Sequence, residues 1–162
     1  MPRPKRAALT KPIHTFLALL TAPPPDLITS LLPLFTKTVL IHEHGLPTLA
    51  PFLGRDFTGP AGVKEYFSLL SDHLTYENMR FDAEGEWTVD VGNGTVCVRG
   101  WAVFYARATG MGGERGMGRG FGREGEEGGD KHGEWKIQEY RVWADTGAAY
   151  LALRGELGDS GI

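Results

Sequence analysis

The stretch that decides the fold is TVLIHEHGLPTLAPFLGRDFTGPAGVKEYF, residues 38–67. It begins with a β-branched run, 38–44, that predicts a strand. An irregular loop rich in apolar residues and proline follows over 46–58. A Gly-Pro pair then opens a predicted helix over 61–74. The apolar side chains of this helix fall on one stripe, which is typical of a buried face: Val63, Tyr66, Phe67 and Leu70.

Regular patterns continue on both sides of this stretch. Before it, apolar residues at helical spacing predict helices over 13–22 and 27–35, with three prolines between them. After it, the hydrophobic period changes from that of a helix to that of a strand. The segments with the second pattern are 75–81, 86–91, 95–107 and 135–144, and a closing helix is predicted over 148–157. Helices followed by strands indicate an α+β domain, with helices packed on one face of a curved antiparallel sheet.

Composition and charge exclude several classes of function. A chain of 162 residues with 41% hydrophobic residues is typical of one globular domain. Its net charge of -3 gives no general attraction to nucleic acid or to anionic membranes. The longest apolar stretch, 13–34, is interrupted by prolines and does not predict a membrane span. The single cysteine, Cys97, excludes an intramolecular disulfide and a CxxC metal site.

The two ends of the chain are expected to lie outside the domain. The basic, proline-marked segment 1–12 predicts a disordered arm, and 158–162 predicts a short tail. No continuous apolar signal-peptide core follows the basic segment, which favours a cytoplasmic location. The domain is therefore expected over 13–157.

Segment 110–133 differs in composition from everything around it. Eleven of its 24 residues are glycine, so its backbone entropy is high, its apolar surface is small, and it predicts a flexible insertion. A GxGxxG match at Gly120 has neither the preceding strand nor the following helix of a dinucleotide site. Arg115, Arg119 and Arg123 are typical of an RNA-binding stretch. Five acidic residues in the segment offset their charge, so nucleic acid is not expected as a partner.

Three parts of the chain, 35–81, 95–110 and 136–157, together resemble a known family. The strings EHGLP, APFLGR and FTG in the first part and VWADTGAAYLA in the last carry the resemblance. They are similar to the SnoaL-like branch of the nuclear transport factor 2-like superfamily and, more narrowly, to uncharacterised fungal members of it. The resemblance implies a cone-shaped α+β barrel: a curved sheet wrapped around a long helix, with a pocket at the wide end. Relatives include isomerases, cyclases, dehydratases and epoxide hydrolases, while others only bind ligands or proteins, so the fold does not decide the function.

One strand that the resemblance implies is missing from the sequence pattern. Such proteins run from the strand ending near 109–110 into another, aromatic-rich strand, where this chain has the glycine segment. The hypothesis is that this strand is missing or replaced, through a retained intron or a shifted reading frame. The strands on either side would then face each other or leave an unpaired edge, which favours association.

Two histidines flank a glutamate in His42, Glu43 and His44. Because side chains alternate along a strand, the histidines share one face, and Glu43 shares the other with Val39 and Ile41. The histidines could bind a metal, although no third ligand is evident, or the strand could simply end in solvent. A third hypothesis places Glu43 or His44 in the pocket as general acid or base. A carboxylate beside two aliphatic side chains would be partly desolvated, which suits proton transfer near neutral pH.

Further candidate residues lie in the later strands. Asp145 follows the last predicted strand and is expected either to cap the closing helix or to act as an acid at the pocket rim. The opposite face of strand 95–107 carries Trp101, Tyr105 and Arg107, which predict a homodimer surface like that of relatives. Six apolar and aromatic side chains are expected to line the pocket: Tyr66, Phe67, Leu70, Phe104, Tyr140 and Trp143.

Together with the sequence pattern, the resemblance implies a pocket protein for a hydrophobic small molecule, with no cofactor, no metal and no membrane partner expected. The first hypothesis is an isomerase, cyclase or dehydratase that transfers a proton through Glu43 or His44, with Asp145 as a further acid. The second is a ligand-binding or dimerisation module of the same fold without chemistry. An RNA-associated protein acting through the glycine segment is the weakest of the three.

Overall fold

A computed structural model of the chain describes residues 5–124 and 134–156. The helices in this part are α1 (Arg6–Thr21), α2 (Leu27–Leu31), α3 (Gly59–His73) and α4 (Thr146–Arg154). The strands are β1 (Phe35–Glu43), β2 (Asp56–Thr58), β3 (Leu74–Phe81), β4 (Thr88–Asp90), β5 (Thr95–Ala106), β6 (Gly112–Glu124) and β7 (Lys136–Ala144). The second helix is shorter than the predicted 27–35, because Pro33 lacks the N–H that a further α-turn would need, and a 3₁₀ turn over Leu32–Leu34 replaces it. The predicted α+β class is confirmed.

The first helix begins inside the segment that was expected to be a disordered arm. Leu9 and Ile13 are each 3% exposed, and they belong to a buried stripe that continues along the rest of α1. Pro12 lies inside the helix and removes one N–H, but burial of the apolar stripe outweighs that loss. The expected boundary at residue 13 is therefore too late. Residues 1–4 and 157–162 lie outside the described part of the chain.

The strands form one curved sheet that is not closed. Their order is β2-β1-β7-β6-β5-β3, and β4 pairs with β5 beside that path. Neighbours run antiparallel, except that β1 and β7 are parallel. The last strand of the chain therefore joins the first strand to the long hairpin of β5 and β6. This arrangement confirms the predicted cone of curved sheet and helices.

The first half of the glycine segment is a strand, which corrects the expectation of a loop and of a missing strand. β6 pairs with β5 from Val96↔Phe121 to Tyr105↔Gly112, and with β7 from Met117↔Ala144 onward. The physical reason is that a ladder is built from backbone N–H and C=O groups, which glycine retains, and that both neighbours present unpaired edges. Residues 125–133 of the segment lie outside the described residues.

The hydrophobic core lies between the concave face of the sheet and helices α1 and α3. Phe16 of α1 and Val63 of α3 are completely buried against Val39 and Ile41 of β1 and against Ile137 of β7. Along β1 from Val39 to Glu43 and along β5 from Val96 to Ala102, alternate residues are the more deeply buried ones, as the period of two predicted. Among the described helices, none combines the length and the apolarity that crossing a bilayer requires.

Candidate active site

A cavity of about 410 Å³ opens between α3, α4 and the concave face of the sheet. Its walls are mostly apolar and aromatic. The lining residues include Glu43, Tyr66, Phe67, Leu70, Ser71, Phe104, Arg107, Tyr140, Val142, Ala144, Asp145, Ala148 and Ala152. A cavity of this size and composition suits one small hydrophobic molecule.

Glu43 is the acidic group at the buried end of this cavity. It is the last residue of β1, it is 7% exposed, and it faces inward with Val39 and Ile41, as the alternation predicted. The Tyr66 hydroxyl on α3 donates a hydrogen bond of 2.6 Å to its Oε2 atom. The strand ends here because the main chain turns: Gly54 N–H donates to the Glu43 carbonyl at 2.9 Å. Since a buried carboxylate is costly without hydrogen-bond donors, Tyr66 also makes its burial tolerable.

Aromatic rings enclose the Glu43–Tyr66 pair. The Tyr66 ring lies edge-on to Phe57, with centroids 5.3 Å apart, and to Phe67, with centroids 5.0 Å apart. Tyr140 on β7 lies beside it at 6.4 Å. Edge-to-face packing of this kind restricts ring rotation, so the hydroxyl that binds the carboxylate is held in place by the core itself.

The structure places His44 and Trp143 outside the cavity, which corrects their expected roles as pocket acid or base and as pocket wall. Their rings stack on the outer face of the sheet, with centroids 4.8 Å apart and planes 10° apart, and Trp143 is 46% exposed. The reason is the alternation along each strand: once Glu43 faces inward, His44 faces outward. Likewise Val142 and Ala144 line the cavity, so the residue between them does not.

The two histidines of the HEH sequence form a surface cluster on this outer face. His42 contacts the His44 ring at 4.7 Å between centroids, and its Nδ1 atom lies 2.7 Å from Asp56 Oδ1. Desolvation, reinforced by the charges of His42 and Arg141, lowers the pKa of His44. In the part of the chain that the structure describes, no group of three or more His, Cys, Asp and Glu side chains could hold a metal ion.

Asp145 is the helix cap that was one of its two expected roles, while its role as an acid at the pocket rim stays a prediction. It lies at the cavity rim, and its Oδ1 accepts the Ala148 N–H at 3.0 Å, which makes it the N-cap of α4. Four of the expected lining residues besides Tyr66 also lie in the cavity wall: Phe67, Leu70, Phe104 and Tyr140.

Arg107 is a cavity residue that the sequence pattern did not identify. Counting alternate positions from Phe104 assigned it to the outer face, in the expected dimer surface. However, β5 ends at Ala106, and the alternation ends with it. The Arg107 N–H still donates to the His73 carbonyl at 2.8 Å, and the exposed residue lies at the rim of the cavity. No signal in the sequence marks that strand end.

Known proteins match this chain by structure but not by sequence. No protein-family model and no curated protein matches the sequence. A nuclear transport factor 2-like protein from Burkholderia xenovorans is 18% identical, with a TM-score of 0.61 over 95% of this chain and 98% of its own. A candidate isomerase from Bacillus subtilis is 11% identical, with a TM-score of 0.69 over 91% and 94%. A candidate polyketide cyclase from Xanthomonas campestris is 11% identical, with a TM-score of 0.63 over 91% and 98%.

These likenesses show that the chain has the nuclear transport factor 2-like fold, as the resemblance predicted. The solved structures match along nearly the whole chain, although few residues are identical. The activities named for these neighbours belong to those proteins. The narrower similarity to fungal members stays a prediction.

Proposed function

We propose that this cone binds a small hydrophobic molecule and moves one of its protons without a cofactor, as an isomerase, cyclase or dehydratase would. The observation that carries the proposal is the Glu43 carboxylate, nearly buried on the cavity wall and bound by Tyr66. Neighbours of the same fold that are candidate isomerases and polyketide cyclases support this class of reaction.

In the proposed reaction, Glu43 is the general base. Its carboxylate takes a proton from a carbon next to a carbonyl group of the bound molecule, and the C–H electron pair moves into an enolate. When the enolate is conjugated with a C=C bond, returning the proton to the far carbon of that system completes an isomerisation. Alternatively, attack by the enolate on a second carbonyl forms a C–C bond, and the alkoxide so produced takes the proton back from Glu43, which completes a cyclisation. Proton transfer by a positioned side chain contributes about 10²- to 10⁴-fold to a rate.

Tyr66 acts in this scheme as a positioning residue. Its hydrogen bond fixes one carboxylate oxygen of Glu43, and the aromatic packing described above fixes the tyrosine. The other oxygen of the carboxylate is then held in a defined direction relative to the cavity. A preoriented base of this kind loses little entropy when the substrate reacts.

The second candidate is a binding module of the same fold that carries out no chemistry. The observation that favours it is the hydrogen bond itself, because a carboxylate held by a buried tyrosine also serves to order the core. In this case the same cavity would bind the same class of molecule, and Glu43 would only shape its buried end.

A carbon-acid probe separates the two candidates. Nitrobenzisoxazole is a small apolar molecule that loses one C–H proton to a base, after which its N–O bond breaks and a coloured cyanonitrophenolate forms. We expect the wild-type protein to accelerate this reaction and Glu43→Gln to reduce the rate by about 100-fold. Absorbance of the phenolate measures it.

Glu77→Gln is the matched control, because Glu77 also accepts a tyrosine hydrogen bond but is exposed on β3. It should leave the rate unchanged. If Glu43→Gln keeps the wild-type rate, Glu43 is not the base. If the wild-type protein accelerates the reaction no more than an equal concentration of acetate does, the proton-transfer proposal fails and the binding module is the remaining candidate. Mass spectrometry of co-purified molecules would then identify its ligand.

A further inference from the structure

The cavity has charged side chains at both ends. Glu43 lies at the buried end, while Arg107 lies at the exposed rim. We propose that Arg107 binds a carboxylate of the ligand, so that the molecules taken up are hydrophobic organic acids. This inference rests on the proposed function of the cavity as a ligand site.

The guanidinium of Arg107 is fixed by the last turn of α3. Its Nε atom donates to the Ser71 carbonyl at 2.5 Å, and its main-chain N–H donates to the His73 carbonyl. Carbonyl groups at the C-terminal end of a helix carry partial negative charge, which stabilises a cation there. The side chain is therefore preoriented, and a guanidinium offers a planar set of donors that matches a carboxylate.

Among the residues that the structure describes, Arg107 also lacks the acidic partner that five other arginines have. Arg6, Arg55, Arg99, Arg141 and Arg154 each form an ion pair with a glutamate or aspartate. In the described part of the chain, the bonds of Arg107 go to backbone carbonyls of α3 instead, and no carboxylate lies within 4 Å of its nitrogen atoms. Its charge is thus available to an anion in the cavity.

The arrangement of charges fixes the direction in which an acid would enter. The carboxylate of the ligand is repelled by Glu43 at the buried end and attracted by Arg107 at the rim. Asp145, the other acid of the lining, accepts the N–H of Ala148 at the start of α4, where the helix dipole offsets its charge. The apolar part of the ligand therefore points inward, toward the proposed base.

A pair of probes that differ only in charge tests this inference. Naphthaleneacetate carries a carboxylate, and naphthaleneacetamide is its neutral counterpart. We expect isothermal titration calorimetry at low ionic strength to show that the wild-type protein binds the acid roughly ten-fold more tightly than the amide. That ratio corresponds to the free energy of one partly exposed charge-assisted hydrogen bond. Arg107→Gln should bind the two probes equally, and Arg107→Lys should keep part of the preference.

Arg99→Gln is the control, because it removes one positive charge from β5 at an ion pair with Asp82, away from the cavity. It should keep the full preference for the acid. Equal binding of the two probes by the wild-type protein, a comparison that needs no variant, would overturn the role of Arg107 while leaving the cavity as a ligand site. A preference that survives in Arg107→Gln would do the same. If neither probe binds the wild-type protein, the proposed function of the cavity fails as well.

Discussion

Two tyrosine–glutamate hydrogen bonds in this chain differ mainly in their surroundings. Tyr66 donates to Glu43 at 2.6 Å inside the core, and Tyr105 donates to Glu77 at 3.0 Å on the surface. Water competes for the second pair and is largely excluded from the first. The same chemical contact should therefore contribute differently to the free energy of unfolding.

Substituting each tyrosine by phenylalanine measures that difference. Tyr66→Phe removes a hydrogen bond to a buried carboxylate, and we expect it to lower the free energy of unfolding by about 1 to 3 kcal/mol. Tyr105→Phe should stay close to the wild type. Urea denaturation at neutral pH measures both, and equal losses in the two variants would contradict the special role given to the buried pair.

At the level of these residues, sequence periodicity predicts faces but not partners. The alternation along β1 separates Glu43 from the two histidines, and the helical stripe identifies Tyr66 as buried. Nothing in the sequence indicates that the two side chains meet, because they lie on elements whose packing depends on the whole sheet. The aromatic ring of Trp143 suggests a place in the cavity wall, but Trp143 is an odd number of positions from Tyr140, so the two side chains face opposite sides of the sheet.

Among the elements, β6 has the least typical sequence for its position. Six of the 13 residues in GGERGMGRGFGRE are glycine, and glycine is disfavoured in strands. Its tertiary position overrides that preference, since β5 and β7 supply hydrogen-bond partners on both sides. Composition could not predict this strand, because its ladder depends on neighbours that are distant in sequence.

Gly112, at the start of β6, shows where glycine is required. An added Cβ atom would overlap the carbonyl oxygen of Phe104 on β5. We therefore expect Gly112→Ala to push the two strands apart and to lower the free energy of unfolding by about 2 kcal/mol. Gly85→Ala is the control, because a Cβ there has no neighbour within 4 Å. Thermal denaturation compares the variants, and equal melting temperatures would mean that β5 and β6 are not packed so closely.

At the scale of the whole molecule, one cluster connects the beginning of the chain to the turn between β3 and β4, at one edge of the sheet. Arg6 and His14 of α1 both contact Glu84, in the turn between β3 and β4: His14 Nε2 lies 2.6 Å from Glu84 Oε2, and Arg6 Nη2 donates to the Glu84 carbonyl at 2.9 Å. The hydrogen bond from His14 lowers the pKa of the Glu84 carboxyl, and the nearby charges of His14 and Arg6 reinforce that shift. The contact holds α1 across the cone.

The pH dependence of this contact has a definite sign. Because the pKa of Glu84 is lower in the folded state than in the unfolded state, Glu84 stabilises the fold above its ordinary pKa of 4.5. That contribution is lost as the pH falls through the folded-state pKa. We expect Glu84→Gln to melt below the wild type at pH 7, with the gap closing on acidification. Glu86→Gln, exposed in the same turn, is the control, and a gap that does not change with pH would contradict this account.

The sequence predicts more of the overall architecture than of the strand pairing and the cavity. The order of helices and strands follows from hydrophobic periods, and the cone follows from the resemblance. The parallel pairing of β1 with β7 and the open edge of the sheet do not follow from any local pattern. The pairing of β1 with β7 places Glu43 at one end of the cavity, and the end of β5 places Arg107 at the other. The site could therefore be predicted only in part.

The glycine-rich strand has an evolutionary consequence. A strand that is joined to its neighbours by main-chain hydrogen bonds imposes few demands on side-chain identity away from Gly112, so many sequences can form it. The shape of this wall would then be retained while its sequence changes. This agrees with the comparisons: solved structures match nearly the whole length of this chain, whereas no family model and no curated protein matches its sequence.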